Sequence, residues 1–424
     1  MIAVVAAAAG SLLLVGCGGG SNSAAGDGKT LKLWHFEAPN SAMGLAWQDA
    51  IEEFKASHPG VKVEFEAKGF EQIQKTAPMV LNSDDAPDVM EYNKGNATAG
   101  LLAKQGLLTD LTAVAQQRGW NKALGPGLQT TARYDGKGVM GSGKYYGIPN
   151  YGEIATVFYN KELFKKHGVE VPTTFAEFTA ALDTFNKKGV TPLGSAGAEY
   201  PAQHYLYQLA LSKADQKWVD AYQRYTGKVD FHDAAWTYAA TTFADWVKKG
   251  YISSKTSGLK AEDAGRAFSS GKYPMFFSGS WWFGRFQQEA KFDWGTFPWP
   301  GSERTLGSSG NVWVVPKNAK NKELAYDFID ITMKKGIQQK LADGGGLPAV
   351  SSVKASDPQT QQLIDTFNSK VSSGSGLGFY PDWPAAGLYD VFVSQTQRLI
   401  NGSASPDDVL EALQRAYDDG VPAK

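Results

Sequence analysis

Between residues 31 and 65 the hydrophobic period changes twice. Leu31, Lys32, Leu33 and Trp34 alternate like a strand, Trp47, Ile51 and Phe54 recur at helical spacing until Pro59-Gly60, and Val61, Val63 and Phe65 alternate again. Strand, helix and strand in that order call for a parallel sheet with a helical crossover, so the expected class is α/β. Ligands of such sheets lie beyond the carboxyl ends of the strands. Trp34, His35, Phe36 and Glu37 fall there, and a third strand read at Asp88-Val89-Met90 puts Glu91, Tyr92 and Asn93 on the same rim.

The chain has 424 residues, 42% of them hydrophobic, which exceeds the size at which a single core usually divides, so two lobes are expected. Forty-two Lys and Arg against 43 Asp and Glu leave a net charge of -1. That balance offers no electrostatic footprint for nucleic acid and favours a neutral ligand. Residues 2–17 form an uncharged apolar run that ends in the single cysteine, Cys17, followed by Gly18-Gly19-Gly20-Ser21. The run is shorter than the roughly 20 residues that cross a bilayer. It reads as a lipoprotein signal peptide over 1–17, although no Lys or Arg precedes it as such signals require, which points to a start codon set too late. The expected protein is therefore exported, lipidated at Cys17, held to the cell membrane by that anchor, and free of disulfides. Residues 18–30 would be a flexible tether spanning about 20 Å.

Later signals are mostly helical. Thr174-Phe175-Ala176-Glu177 is a capping box after Pro172, and Ser405, Pro406 and Asp408 mark another helix start. Strands are expected at 154–159, 273–277 and 311–315. The stretch 138–144, GVMGSGK, satisfies most of a phosphate-binding loop, but Tyr145 stands where that loop needs Ser or Thr, and Gly147 and Pro149 exclude the helix behind it. It is read as a surface turn. The five histidines are scattered without zinc-ligand spacing, and no Gly-x-Ser-x-Gly elbow occurs, so neither a metal nor another cofactor is expected.

Aromatic residues make up 12% of the chain and bunch at Trp34-His35-Phe36, Trp281-Trp282-Phe283, Trp294 to Trp299 and Tyr380 to Trp383. Flat apolar faces beside short polar groups at strand ends suit a pyranose, whose C–H faces lie on indoles while Asn, Asp, Glu and His take its hydroxyls. Neighbours on a strand or helix cannot both face one core, so paired tryptophans are candidates for a site. Trp294, Trp299 and Trp313 are read as core or surface residues. Two other readings use the same residues: a surface-anchored glycoside hydrolase with carboxylates drawn from Glu37, Glu153 and Asp382, and a sugar-sensing lipoprotein without transport.

Several segments resemble the solute-binding lipoproteins of ATP-driven bacterial sugar importers, the extracellular family that includes maltose-binding protein. Phe54 to Val63 (FKASHPGVKV) is similar to the family's first helix and second strand, Ala86-Pro87-Asp88-Val89 to its Pro-Asp-Val strand, and Phe158 to Phe164 (FYNKELF) to its Tyr-Asn-Lys segment. Phe268 to Met275, then Ser278-Gly279-Ser280-Trp281, resembles the stretch that leads to a sugar-facing tryptophan, with Trp282 and Tyr273 as departures. The resemblance implies a two-lobe periplasmic-binding-protein fold with interleaved lobes and a hinge, 28–148 plus 307–350 forming one lobe and 149–306 plus 351–424 the other. It implies a monomer without enzymatic activity that delivers a neutral di- or oligosaccharide to permease subunits powered by a cytoplasmic ATPase. By position, Trp34, His35, Phe36 and Glu37 would line the first lobe's edge, Trp281, Trp282 and Trp383 would stack on sugar, and Tyr151 would close over it. Asn93, Glu153, Gly310, Asn311 and Asp382 complete the expected site. Xylobiose or a short xylo- or cello-oligosaccharide is the first expectation for the ligand, and malto-oligosaccharide the next.

Overall fold

A computed structural model of the protein describes residues 28–372 and 374–421; Cys17 and most of the expected tether lie outside the described residues. In chain order the strands are β1 (Thr30–His35), β2 (Lys62–Ala67), β3 (Val89–Tyr92), β4 (Arg133–Tyr134), β5 (Lys144–Tyr145), β6 (Ile148–Pro149), β7 (Tyr151–Asn160), β8 (Leu193–Gly194), β9 (Met275–Gly279), β10 (Trp294–Phe297), β11 (Gly307–Ser309), β12 (Val312–Val314) and β13 (Leu347–Pro348).

The opening unit folds as its periodicity requires. Helix α1 (Ala42–Ser57) starts where the Ser41 hydroxyl accepts from the Gly44 N–H at 2.9 Å, and buries Ala46, Trp47, Ala50, Ile51 and Phe54. It ends before Gly60, whose φ of +90° lies in the left-handed region that glycine enters freely. β1 pairs in parallel with β2 and β3, giving a first sheet ordered β2-β1-β3-β12-β6. Trp47 meets Trp313 of β12 edge to face at 5.7 Å, and Phe54 meets Phe328, so α1 is clamped between its own sheet and the helix Lys322–Met333. Burying each such ring contributes about 1.5–3 kcal/mol.

The second sheet runs β10-β7-β9-β8, with β11 and β13 also paired to β7. Nine of the ten residues of β7 are buried, as expected of a strand covered on both faces. On one side Phe158 touches Phe268, Phe276, Phe283, Phe286 and Trp294. On the other, Phe277 and Phe178 pack on Trp299. The chain passes between the sheets where β6 leads to β7, where β11 leads to β12, and again between Val314 and Leu347. These passes make two interleaved lobes.

Local expectations meet a few adjustments. Thr174–Glu177 and Ser405–Asp408 both form capping boxes, and 138–143 lies in the connection of the small β4–β5 hairpin, with Lys144 opening β5. The third strand starts at Val89, with Asp88 held outside it as an acceptor for the N–H groups of Lys32 and Asn321, and runs on through Glu91 and Tyr92, which pair with Trp313 and Val312 of β12. The strand expected at 273–277 lies at Met275–Gly279. Trp294, Trp299 and Trp313 are buried in the core.

Candidate functional site

A cleft of about 410 Å³ opens between the lobes at the strand ends, within the roughly 300–1,000 Å³ of small-molecule sites. β1 ends into Phe36 and Glu37, β3 into Asn93 and Lys94, and β9 into Trp281. Tyr151 and Glu153 begin β7, and Asn311 precedes β12. The rest of the lining includes Tyr200, Gln203 and His204 at the start of the helix Ala202–Leu211, with Tyr200 and His204 beside Trp281, together with Tyr380, Asp382, Trp383 and Tyr389.

The floor is one polar network. Lys94 Nζ lies 2.5 Å from Glu153 Oε1, both side chains 4% exposed, and donates to Asn311 Oδ1 at 3.2 Å. Asn311 Nδ2 donates to the Tyr151 hydroxyl at 2.8 Å, which donates to Glu37 Oε1 at 3.3 Å. The Ser308 hydroxyl donates to Glu153 at 3.0 Å. Lys94 also stands 5.3 Å from the Trp383 ring and 5.6 Å from that of Tyr380, so its charge is held by a carboxylate and two π-faces. Burial, with Glu153 nearby, pushes the Glu37 carboxyl up to about 7 despite the Tyr151 hydrogen bond. Burial raises Asp382 to about 6 and drives Glu91, beneath Glu37, well above the carboxylate range. Burial lowers His204 to about 3, so it is neutral.

The aromatic walls are uneven. The Trp281 ring lies folded over Gly279, where a Cβ would stand 1.8 Å from its Cζ3, and Tyr200 meets it edge-on at 5.5 Å and 89°. Phe36 meets Phe70 edge to face at 5.2 Å on the facing wall. Trp383 lines the cleft but is 1% exposed, because Gly95, at φ +108°, packs directly on its indole. With Gly95 packed on it and Lys94 Nζ 5.3 Å from its ring centre, it has no free stacking face.

Nine of the thirteen residues expected at the site border this cleft: Phe36, Glu37, Asn93, Tyr151, Glu153, Trp281, Asn311, Asp382 and Trp383. Four do not. Trp34 is half-buried on the far face of β1, with Lys68 Nζ 4.5 Å from its ring. His35 turns to the opposite side of the strand, stacks on Phe65 at 4.5 Å and accepts from the Glu37 N–H. Trp282 is 1% exposed, stacked on Phe286 at 5.4 Å with the Arg285 guanidinium 4.2 Å from its ring. The 3₁₀ turn Ser280–Trp282 rotates successive side chains by about 120°, so one indole reaches the cleft and its neighbour the core. Gly310 is a packing position behind Tyr151, whose Cδ2 a Cβ would approach to 2.4 Å.

Sequence reasoning missed Lys94, although it directly follows Asn93 on the same strand end. Tyr200, Gln203, His204 and Tyr389 carried no local signal, since they begin or lie on helices distant in sequence from the first lobe. No cluster of His, Cys, Asp or Glu suited to a metal occurs among the described residues, and no helix among them is long and apolar enough to cross a membrane.

The model of the bacterial extracellular solute-binding protein family matches residues 38–338. A diacetylchitobiose-binding protein, DasA, of Streptomyces coelicolor is 24% identical over 408 residues, covering 91% of this chain and 90% of its own length. A maltotriose-binding protein of Pyrococcus abyssi is 24% identical over 349 residues, 79% of this chain and 69% of that one. A structure solved in work on xylan utilization by the thermophilic bacterium Caldanaerobius polysaccharolyticus superposes with a TM-score of 0.77 at 24% identity, covering 91% of this chain and 99% of that one. A chitin oligosaccharide binding protein gives 0.77 at 23% identity, with 92% and 98% covered. The two structures share this chain's two-lobe fold, and with the family's model matched over most of its length, the chain belongs to the bacterial extracellular solute-binding proteins.

Proposed function

We propose that this protein captures a neutral di- or oligosaccharide between its lobes and delivers it to the permease subunits of an importer driven by a cytoplasmic ATPase. The observation that carries the reading is the cleft itself: an indole backed by Gly279 on one wall, a phenyl ring on the other, and hydrogen-bonding groups from both lobes. A pyranose lying against Trp281 would place its hydroxyls among Glu37, Asn93, Lys94, Asn311 and Asp382. Contacts from both lobes are needed for the sugar to favour the closed form, because a ligand shifts a hinge only by its differential affinity for the two states. The names of the relatives, which bind diacetylchitobiose and maltotriose, support a saccharide. A short xylo- or cello-oligosaccharide is the first choice, then malto-oligosaccharide. Lipidation at Cys17 would hold the protein at the outer face of the cell membrane.

Titrating residues 18–424 with xylo-, cello-, malto- and chito-oligosaccharides while following tryptophan emission and heat tests this. One series is expected to saturate near micromolar concentration, about -8 kcal/mol, and to be recovered intact. Absence of heat with every series refutes a saccharide ligand, and cleavage products refute the binding role in favour of hydrolysis.

A further inference from the structure

The cleft walls carry twice as many carboxylates as cations. Glu37, Glu71, Glu153, Glu199, Glu262 and Asp382 face Lys94, Lys260 and Arg285. Every cation is already paired: Lys94 with Glu153 at 2.5 Å, Lys260 with Glu199 at 3.2 Å, and Arg285 with Glu262 at 2.8 Å. Glu71 has Lys75 at 3.8 Å. That leaves Glu37 and Asp382 as the lining carboxylates without an ion pair among the described residues. Glu37 accepts from the neutral donors Tyr151 and Asn311 and shares a hydrogen bond with the buried Glu91 carboxyl. The two stand on different walls, Glu37 after β1 and Asp382 in the segment before the helix Leu388–Ile400.

We propose that Glu37 and Asp382 are specificity-determining residues that close this cleft to anionic sugars, uronates and sugar phosphates alike, while admitting neutral ones. The inference rests on the saccharide reading of the cleft and deepens it. A neutral sugar brings hydroxyl donors to both carboxylates. An anionic one brings a like charge beside two carboxylates that have no ion pair of their own, in a space where each lining cation is already paired with another carboxylate, and such juxtaposition is how binding sites reject wrong partners. Lys94 already places two of its three N–H donors on Glu153 and Asn311, so an anion would have to share its charge with the buried Glu153.

Matched probes test it: cellotriose and maltotriose, each with its form oxidised to a glucuronate at one C6, and xylotriose with its glucuronic-acid-branched form. Calorimetry at pH 9, about two units above the higher of the two carboxyls, keeps both largely ionised. The neutral member of at least one pair is expected to bind and its acid to bind at least 100-fold more weakly, with that ratio shrinking at least fivefold in Glu37→Gln or Asp382→Asn. The ratio of two affinities on one preparation is insensitive to any misfolded fraction. An acid bound within threefold of its neutral parent overturns the inference and leaves the saccharide reading standing, as does a wild-type ratio retained in both variants. Failure of every neutral member to bind folded protein overturns the saccharide reading and the inference with it.

Discussion

Replacing Trp281 with alanine removes the one indole that combines cleft access with a rigid backing, since its ring rests on Gly279 and is braced edge-on by Tyr200 at 5.5 Å. One face of an indole offers about 70 Å² of the roughly 200 Å² that a buried tryptophan contributes, and at about 25 cal/mol per Å² its coverage by a sugar is worth about 1.8 kcal/mol. Affinity should fall about 20-fold. Trp281 is half-buried, so the thermal midpoint should move little. Its neighbour behaves oppositely. Trp282 is sealed between Gly265, Phe286 and Arg285, so Trp282→Ala opens a cavity and costs about 3–5 kcal/mol of stability, with affinity retained in the fraction that folds. Calorimetric titration with the best-binding oligosaccharide, paired with urea unfolding of each variant, separates the effects. Retention of wild-type affinity within twofold by Trp281→Ala would remove that indole from the site. A greater loss of affinity in Trp282→Ala, at unchanged stability, would refute the division of roles between the two.

Stability should depend on pH through the cleft carboxyls. Glu37 rises from 4.5 to about 7 in the folded protein, facing Glu153, Glu91, Tyr151 and Asn311, and Asp382 rises from 3.8 to about 6, facing Lys94 and Glu153. These two carboxyls bind more protons in the folded than in the unfolded state between those values, so their contribution is present in acid and is lost as pH rises from about 4 to about 7, opposed by the buried His204 and His35, lowered to about 3 and about 4, whose contribution grows with pH over the same window. The difference in melting temperature between the wild type and Glu37→Gln across that window isolates the carboxyl contribution, and a difference that does not change with pH would contradict it. Lys94→Met keeps most of the side-chain volume but strands Glu153 beneath the cleft, and should cost about 3–5 kcal/mol, partly recovered by adding Glu153→Gln. Equal urea midpoints for Lys94→Met and the wild type would show that the buried pair contributes nothing.

The strand-helix-strand opening, the α/β class and both capping boxes were legible because they depend on contacts within a few residues: Ser41 on Gly44, Thr174 on Glu177, the stripe of Trp47, Ile51 and Phe54. Strand ends also named much of the cleft in advance, since backbone direction alone carries Phe36, Glu37 and Asn93 to the carboxyl rim. Side-chain direction at those ends was another matter. His35 and Glu37 are two residues apart, yet His35 turns under β1 to Phe65 while Glu37 reaches the cleft, because the chain leaves extended geometry between them and strict alternation fails.

By its local periodicity and residue chemistry, then, the sequence determined that this protein is an α/β chain whose first three strands pair in parallel, although β12 joins that sheet antiparallel to β3 and β6, and whose aromatic and polar residues gather at strand ends. Only the tertiary structure decided which of two adjacent indoles faces the cleft, that Gly95 seals Trp383, and that Lys94 is held by Glu153 while Glu37 and Asp382 have no ion pair among the described residues. Periodicity is fixed by neighbours along the chain, whereas charge pairing and ring access are fixed by residues that meet only when the interleaved lobes close on each other.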